Sequence, residues 1–221
     1  MPRVAPDPAS EPTSGLGRLR RRLWWLVGLV AFAAVVIFVV VARDDGRVAT
    51  STDRLELKPI AGMGGPFSLV DQHGAPFTEK SLEGKPTLLF FGYTFCPDVC
   101  PTTLLEVGLW MQQLGVDADQ LRVVFITVDP ERDTPEKLSA YLASFDPRFV
   151  GLSGPRAEID KAIKAWRVYA RKVEGKGGDY TMDHTAAVYM LDRQGRFVGL
   201  IKFQEEQKKV IPVLRRLLAQ G

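Results

Sequence analysis

Two cysteines, Cys96 and Cys100, stand four positions apart in a Phe-Cys-Pro-Asp-Val-Cys-Pro segment, and they are the only cysteines in the 221-residue sequence. They follow the apolar run Thr87–Tyr93, which is typical of a strand buried on both faces, and precede Thr102–Leu114, which has helical periodicity. Pro101 fits the first helical position, which would put Cys100 near the N-cap. The positive end of a helix stabilises thiolates, which are the form that binds metals and attacks disulfides.

A third side chain suited to a metal is His184, which lies just before an expected hairpin strand that should pack beside the cysteines. Two soft thiolates favour Cu(I), and an imidazole suits both copper oxidation states. A set of two sulfurs and one nitrogen suits copper better than structural zinc, which takes four ligands. We expect Met182 to pack rather than bind metal, and His73 to be a surface turn residue.

Two readings of the surrounding residues stay open. The cysteine spacing alone also fits a structural disulfide. The position of the cysteines argues against it, because the loop between a core strand and the next helix is where α/β proteins tend to carry their functional residues. The polar segment Thr127–Glu136 follows an expected central strand, at the end of the sheet where α/β sites tend to lie. Within it Asp129 could orient His184 as a hydrogen-bond acceptor, or serve only the turn. Turn, capping and local pairing roles are expected for Glu131, Arg132 and Asp133.

The elements that must position these residues alternate between strand-like and helix-like segments. Strands are also expected at Phe67–Val70, Leu121–Val128, Ala186–Leu191 and Phe197–Lys202, and helices at Pro135–Ser144, Glu158–Tyr169 and Glu205–Ala219. Thr134 is the predicted N-cap before Pro135, and residues 174–179 are expected to be a mobile, solvated loop. The order of strands and helices, with a C-terminal hairpin, predicts an α/β thioredoxin-like fold.

The N-terminal part of the chain predicts one transmembrane helix. Leu23–Val41 has 19 residues without a charge, enough to span roughly 30 Å of hydrocarbon. Four arginines precede it (Arg18, Arg20, Arg21 and Arg22), so the positive-inside rule keeps the N-terminus in the cytoplasm. A cleaved signal peptide is the competing reading, but its apolar core is normally shorter. The predicted division is a basic tail at 1–22, an anchor at 23–42, a linker at 43–60 and a domain at 61–221.

Charge and cysteine content exclude two classes of protein. The net charge of +3 comes from the head, because residues 44–221 carry 23 basic and 24 acidic residues. A nucleic-acid-binding protein would need a basic stripe on its folded body, so we expect no nucleic-acid partner. Two cysteines are too few for a small disulfide-stapled scaffold and indicate one local redox or metal site.

With these residues identified, the chain resembles the Sco/SenC family. The resemblance is carried by FCPDVCP at 95–101, TVDPERDTPE at 127–136 and DHT at 183–185, and it covers roughly residues 60–205. It implies a thioredoxin fold and a copper site formed by Cys96, Cys100 and His184. It also implies a role in assembling the binuclear copper (CuA) centre of cytochrome c oxidase subunit II. The chain differs from true thioredoxins in having three residues between its cysteines and no proline just before the hairpin strand.

The expected function is therefore that of a copper metallochaperone that passes its ion to a membrane-bound partner. An exported thiol reductant is implied, because the cysteines must be reduced to bind copper. The alternative is a thiol–disulfide oxidoreductase that reduces the cysteines of the target copper site. A peroxide-reducing or sensory relative is a third possibility, which the paired cysteines disfavour. Acidic residues in the short head argue against a targeting presequence, so we expect a bacterial plasma membrane, with the domain facing the periplasm or the cell exterior.

Overall fold

Two apolar strands form the centre of the larger sheet. In the computed structural model, which describes residues 16–44 and 57–220, every residue of β3 (Thr87–Gly92) is buried. Its parallel neighbour β4 (Arg122–Thr127) pairs with it along the whole length, from Thr87 opposite Arg122 to Gly92 opposite Thr127. Central strands covered on both faces need apolar residues at nearly every position, and both segments provide them.

Five more strands complete this sheet: β1 (Ser68–Asp71), β2 (Pro76–Thr78), β5 (Phe149–Ser153), β8 (Ala187–Leu191) and β9 (Phe197–Lys202). The spatial order is β2-β1-β5-β4-β3-β8-β9. Strand β5 is parallel to β4, whereas β8 is antiparallel to both β3 and β9. The predicted strand–helix–strand crossover and the C-terminal hairpin are therefore confirmed.

Four helices lie in the same part of the chain: α2 (Val99–Leu114), α3 (Pro135–Leu142), α4 (Arg156–Ala165) and α5 (Gln207–Ala219). Short 3-10 turns occur at Glu79–Leu82, Gly115–Gln120 and Lys176–Gly178. Thr134 caps α3 as predicted, accepting a hydrogen bond from the backbone N of Lys137 at 3.4 Å. Helix α4 ends at Ala165, before the predicted Tyr169, because Arg167 has a φ of 51°, a left-handed conformation that no helix continues.

A second, two-stranded sheet flanks the solvated loop expected at 174–179, which is the exposed connection between its two strands. Strand β6 (Ala170–Glu174) pairs antiparallel with β7 (Tyr180–His184), and Ala170 lies opposite His184. The glycines of this stretch form the turn of the β6–β7 hairpin, where Gly177 and Gly178 have φ values of 76° and 87°. The hairpin matters for function because its second strand ends at His184.

The chain divides into an N-terminal unit that ends at Glu56 and a C-terminal unit that begins at Leu57. The N-terminal unit contains α1 (Leu16–Asp44), which includes the last residues of the predicted tail and the first of the predicted linker. Its segment Arg20–Val39, with a mean hydropathy of 2.3, is long and apolar enough to cross a membrane. Residues 1–15 and 45–56, which hold most of that tail and linker, lie outside the described residues. The C-terminal unit starts four residues before the predicted position, and Ile60 donates a backbone hydrogen bond to Phe197 at 2.8 Å.

Candidate metal centre

The cysteine loop, residues 93–98, connects β3 to α2. Helix α2 begins at Val99 with Asp98 as its N-cap, so Cys100 lies inside the first turn. The prediction that Pro101 occupies the first helical position is therefore wrong by two residues. Proline is tolerated at the observed position because the N–H groups of a first turn have no partner within the helix. The backbone N of Cys100 donates to Sγ of Cys96 at 3.4 Å, so both sulfurs lie at the start of α2.

The two cysteines are free thiols in different environments. Cys96 is 9% exposed, whereas Cys100 is fully buried. A hydrogen bond from the Cys100 thiol lowers the pKa of Cys96 to about 5. The same hydrogen bond, together with burial, raises the pKa of Cys100 well above its usual range. These opposite shifts favour ionisation of Cys96 over ionisation of the more deeply buried Cys100.

His184 contacts the buried cysteine although 84 positions separate them. Its Nε2 lies 3.3 Å from Sγ of Cys100, and its Nδ1 lies 3.1 Å from the carbonyl oxygen of Met182. A carbonyl oxygen can only accept, so we infer that Nδ1 carries the proton and that the lone pair of Nε2 faces the sulfur. The ring packs edge-on against Tyr93 and Phe90, with centroids 5.6 and 6.3 Å away. The thiol proton of Cys100 thus has two candidate acceptors, Nε2 of His184 and Sγ of Cys96.

Asp129 does not orient His184, and that prediction is wrong for this structure. One carboxylate oxygen of Asp129 accepts a hydrogen bond from the Tyr180 hydroxyl at 2.8 Å, and the other accepts from Nε of Arg132. The carbonyl of Met182 takes the expected position beside Nδ1 of the imidazole. Asp129 is nevertheless buried, at 1% exposure, and its partner Tyr180 begins the strand that ends in His184.

Asp133 is a site residue whose role was underestimated from the sequence. Its buried carboxylate accepts hydrogen bonds from the backbone N and the hydroxyl of Thr94, at 3.0 and 2.6 Å, and from the Thr127 hydroxyl at 2.7 Å. These contacts attach the cysteine loop to the end of β4. Burial raises the pKa of Asp133, and the hydrogen bonds from the two threonines oppose that rise. Its position directly before the N-cap Thr134 had indicated only capping.

The other histidine is far from this cluster in the chain. His73 lies in the turn between β1 and β2, where its backbone N donates to the Asp71 carboxylate at 2.8 Å, as expected for a surface turn. Met182 is 8% exposed and contributes its carbonyl rather than its sulfur to the His184 environment. Within residues 16–44 and 57–220, no three His, Cys, Asp or Glu side chains already form a closed metal cage. Two sulfurs and one imidazole nitrogen could hold a soft metal ion once the Cys100 proton is lost and the ligands adjust.

Comparison with known proteins agrees with the motifs. A family model described as SCO1/SenC matches residues 56–219. Protein SCO1, mitochondrial, of Saccharomyces cerevisiae is 39% identical over 168 residues, which are 70% of this chain and 57% of that protein. The SCO2-like protein RP587 of Rickettsia prowazekii is 34% identical over 170 residues, which cover 72% of this chain and 83% of the relative. This chain thus spans little more than half the length of the yeast relative.

A solved structure gives the same result for the fold. The structure of Bradyrhizobium japonicum ScoI with copper bound is 55% identical, has a TM-score of 0.67, and is matched over 70% of this chain and 99% of its own. The predicted thioredoxin-like fold is therefore confirmed. The family model covers well over half of the sequence, and it includes both cysteines and His184. This chain belongs to the SCO1/SenC family.

Proposed function

We propose that this protein binds a copper ion as its cargo, through Sγ of Cys96, Sγ of Cys100 and Nε2 of His184. The observation that carries the proposal is the 3.3 Å contact between Sγ of Cys100 and Nε2 of His184, which puts an imidazole lone pair next to the first turn of α2. The chemistry of the donor set supports copper, because thiolates select Cu(I) and imidazole accepts both oxidation states. The relative from Bradyrhizobium japonicum, which was solved with copper bound, adds support.

Each ligand side chain has a separate role in the uptake and release of the ion. Cys96, the more exposed cysteine and the one whose pKa is lowered, is the first ligand. Cys100 binds after losing its proton, and the carbonyl of Met182 keeps the lone pair of His184 pointing at the ion. Release occurs by ligand exchange, as thiolates of the recipient replace those of Cys96 and Cys100. We propose that the recipient is the CuA centre of cytochrome c oxidase subunit II, and that an exported thiol reductant keeps both cysteines reduced.

The N-terminal helix is proposed to anchor the protein as a single span in a bacterial plasma membrane. The supporting observations are the 20-residue apolar segment Arg20–Val39 and the arginines at its start. This orientation places the copper-binding domain in the periplasm or outside the cell, where an oxidising environment makes a dedicated reductant necessary. No nucleic-acid partner is proposed.

Anaerobic titration of the reduced full chain in detergent with Cu(I) tests the copper site. We expect one tight equivalent for the wild type, an affinity at least about tenfold lower for His184→Ala, and no tight binding for Cys96→Ala/Cys100→Ala. His73→Ala is the matched control, because this surface histidine should leave the affinity unchanged. Absence of tight binding in the wild type, with both thiols shown to be reduced, would exclude the copper site.

A second function, thiol–disulfide oxidoreductase, is favoured by the low pKa of Cys96, about 5. The Cys96 thiolate would attack a disulfide of the target, displacing one target thiolate and forming a mixed disulfide. Cys100, after losing its proton, would attack Cys96, releasing the second target thiolate and leaving a Cys96–Cys100 disulfide for the reductant to reduce. His184 is not needed for these steps. A His184→Ala variant with full activity in oxidase assembly would favour this function over copper delivery.

A further inference from the structure

The side chain of Arg132 lies between the two segments that carry the proposed copper ligands. Its guanidinium carbon is 4.6 Å from the ring centroid of Phe95 and 3.6 Å from that of Tyr180. Phe95 directly precedes Cys96, and Tyr180 is the first residue of the strand that ends at His184. A planar cation between two aromatic faces is an attractive arrangement that arginine makes better than lysine.

Hydrogen bonds fix the guanidinium in this position. Nη1 of Arg132 donates to the carbonyl oxygen of Tyr180 at 3.0 Å, and Nε donates to Asp129. The same Asp129 carboxylate accepts from the Tyr180 hydroxyl, so the ring and the backbone of Tyr180 are both connected to the β4–α3 loop. The Arg132 side chain is only 16% exposed, so solvent competes weakly for these contacts.

The β6–β7 hairpin depends on such contacts for its placement. It is a separate two-stranded sheet and takes no part in the seven-stranded one. An isolated pair of strands is marginally stable in water, so its position is determined by what it packs against. We propose that Arg132 is a positioning residue that holds the β6–β7 hairpin, and with it His184, against the cysteine loop. This inference rests on the proposed copper function.

Replacement of Arg132 by lysine is the most specific test of this positioning role. Arg132→Lys keeps a positive charge beside the buried Asp129, but it removes the planar group between the two rings and the group that bonds Asp129 through Nε and the Tyr180 carbonyl through Nη1 at the same time. We expect its Cu(I) affinity, measured by competition with a Cu(I) chelator on the reduced full chain, to fall about tenfold. If Arg132 acts through His184, the substitution should cause no further loss in a His184→Ala background, and this thermodynamic cycle separates positioning from general damage.

Arg148→Lys is the matched control, because Arg148 also pairs with carboxylates, but these belong to Asp146 and Asp119, which lie outside both the cysteine loop and the β6–β7 hairpin. It should bind Cu(I) as the wild type does. Should Arg132→Lys fail to fold in thermal unfolding, Phe95→Leu serves instead, since it removes one ring and leaves the Arg132–Asp129 pair. For Phe95→Leu we expect about a threefold loss of affinity, again absent without His184.

Three outcomes are distinguishable. A loss that vanishes in the His184→Ala background supports the positioning role. Wild-type affinity in Arg132→Lys, or an equal loss with and without His184, overturns it while leaving the copper site intact. A wild-type protein that binds no copper overturns the proposed function itself.

Discussion

Cys96 lies in the cysteine loop and Cys100 in the first turn of α2, and the two are expected to react very differently. Cys96 keeps 9% of its surface exposed, whereas Cys100 is fully buried and its sulfur lies against Gly92 at the end of β3. A single proton shared within the pair leaves Cys96 as the thiolate, because ionising both sulfurs side by side would put two negative charges in a poorly solvated place. The outer cysteine is therefore the one prepared to meet a metal ion or a disulfide.

Alkylation of the metal-free, reduced protein should reveal this difference. With a pKa of about 5, Cys96 is protonated at lower pH and ionised at higher pH, so its rate with iodoacetamide should rise through pH about 5 and then level off. Cys100 should react much more slowly throughout, because it is buried and its pKa is raised. Peptide mass spectrometry after timed quenching, between about pH 4 and about pH 8, measures both rates.

Cys100→Ala is the control for the cause of the shift. It removes the thiol that donates to Cys96, so the midpoint of the Cys96 rate should move to higher pH. If Cys100 proved the faster-reacting residue, or if the wild-type midpoint stayed near the ordinary thiol value of about 8.5, the assignment of the thiolate would be incorrect.

At the scale of elements, the central strands could be predicted and the histidine hairpin could not. β3 and β4 are apolar along almost their whole length, and their shortness together with their β-branched and aromatic residues favours buried strands over helices. Half of the side chains of β6 and β7 are exposed, and β6 has no alternating pattern. In β7 the exposed Thr181 and Asp183 do alternate with more buried residues, but the pattern is only five residues long. Their position depends on tertiary contacts such as that of Arg132 with Tyr180, which no local signal encodes. The contact of His184 with Cys100 was accordingly predicted by residue type and resemblance, without its geometry.

Strand β5 was also not predicted from the sequence, for a different reason. Its five residues include Gly151, which weakens a strand pattern but allows close packing against α3, since an added Cβ would lie 2.6 Å from Cδ1 of Leu142 and 3.2 Å from Cβ of Leu138. A glycine with the same kind of role ends β3. An added Cβ on Gly92 would lie 2.8 Å from Sγ of Cys100 and 2.8 Å from the ring of Phe125.

Gly92→Ala should therefore disturb the junction between β3 and α2. The methyl group forces the Cys100 sulfur or the Phe125 ring to move, and we expect the free energy of unfolding to fall by about 1–3 kcal/mol. The affinity for Cu(I) should fall as well, because Cys100 is displaced from His184. Gly108→Ala is the control, since nothing lies within 4 Å of its added Cβ and alanine favours a helix interior by up to about 1 kcal/mol. Urea unfolding gives the free energy of unfolding of both variants and of the wild type. A Gly92→Ala variant as stable as the wild type would show that β3 has room for the methyl group.

At the scale of the whole molecule, the chain combines a basic, apolar N-terminal unit with a nearly neutral domain. Residues 44–221 carry 23 basic and 24 acidic groups, so long-range charge does little to attract a partner to the domain. A carrier that must meet its recipient at a membrane gains more from being held there, because confinement raises the effective concentration of one partner near the other. In the proposed function, the helix at Leu16–Asp44 supplies this confinement as an uncleaved anchor.

Retention of the helix is measurable because it changes both mass and fractionation. An uncleaved anchor leaves the full 24.5 kDa chain in the membrane fraction after an alkaline wash, whereas a cleaved signal peptide would release a shorter, soluble protein. We expect the first result in bacterial cells producing the full chain, with the domain digested by protease added to spheroplasts. Replacing Arg18, Arg20, Arg21 and Arg22 with glutamine should protect part of the population from the protease, because these charges hold the N-terminus in the cytoplasm. Matching substitution of Arg215 and Arg216 in α5 should leave orientation unchanged, since those arginines lie far from the span in sequence. A soluble, shortened product would show instead that Leu23–Val41 acts as a signal sequence and that copper delivery proceeds without a tether.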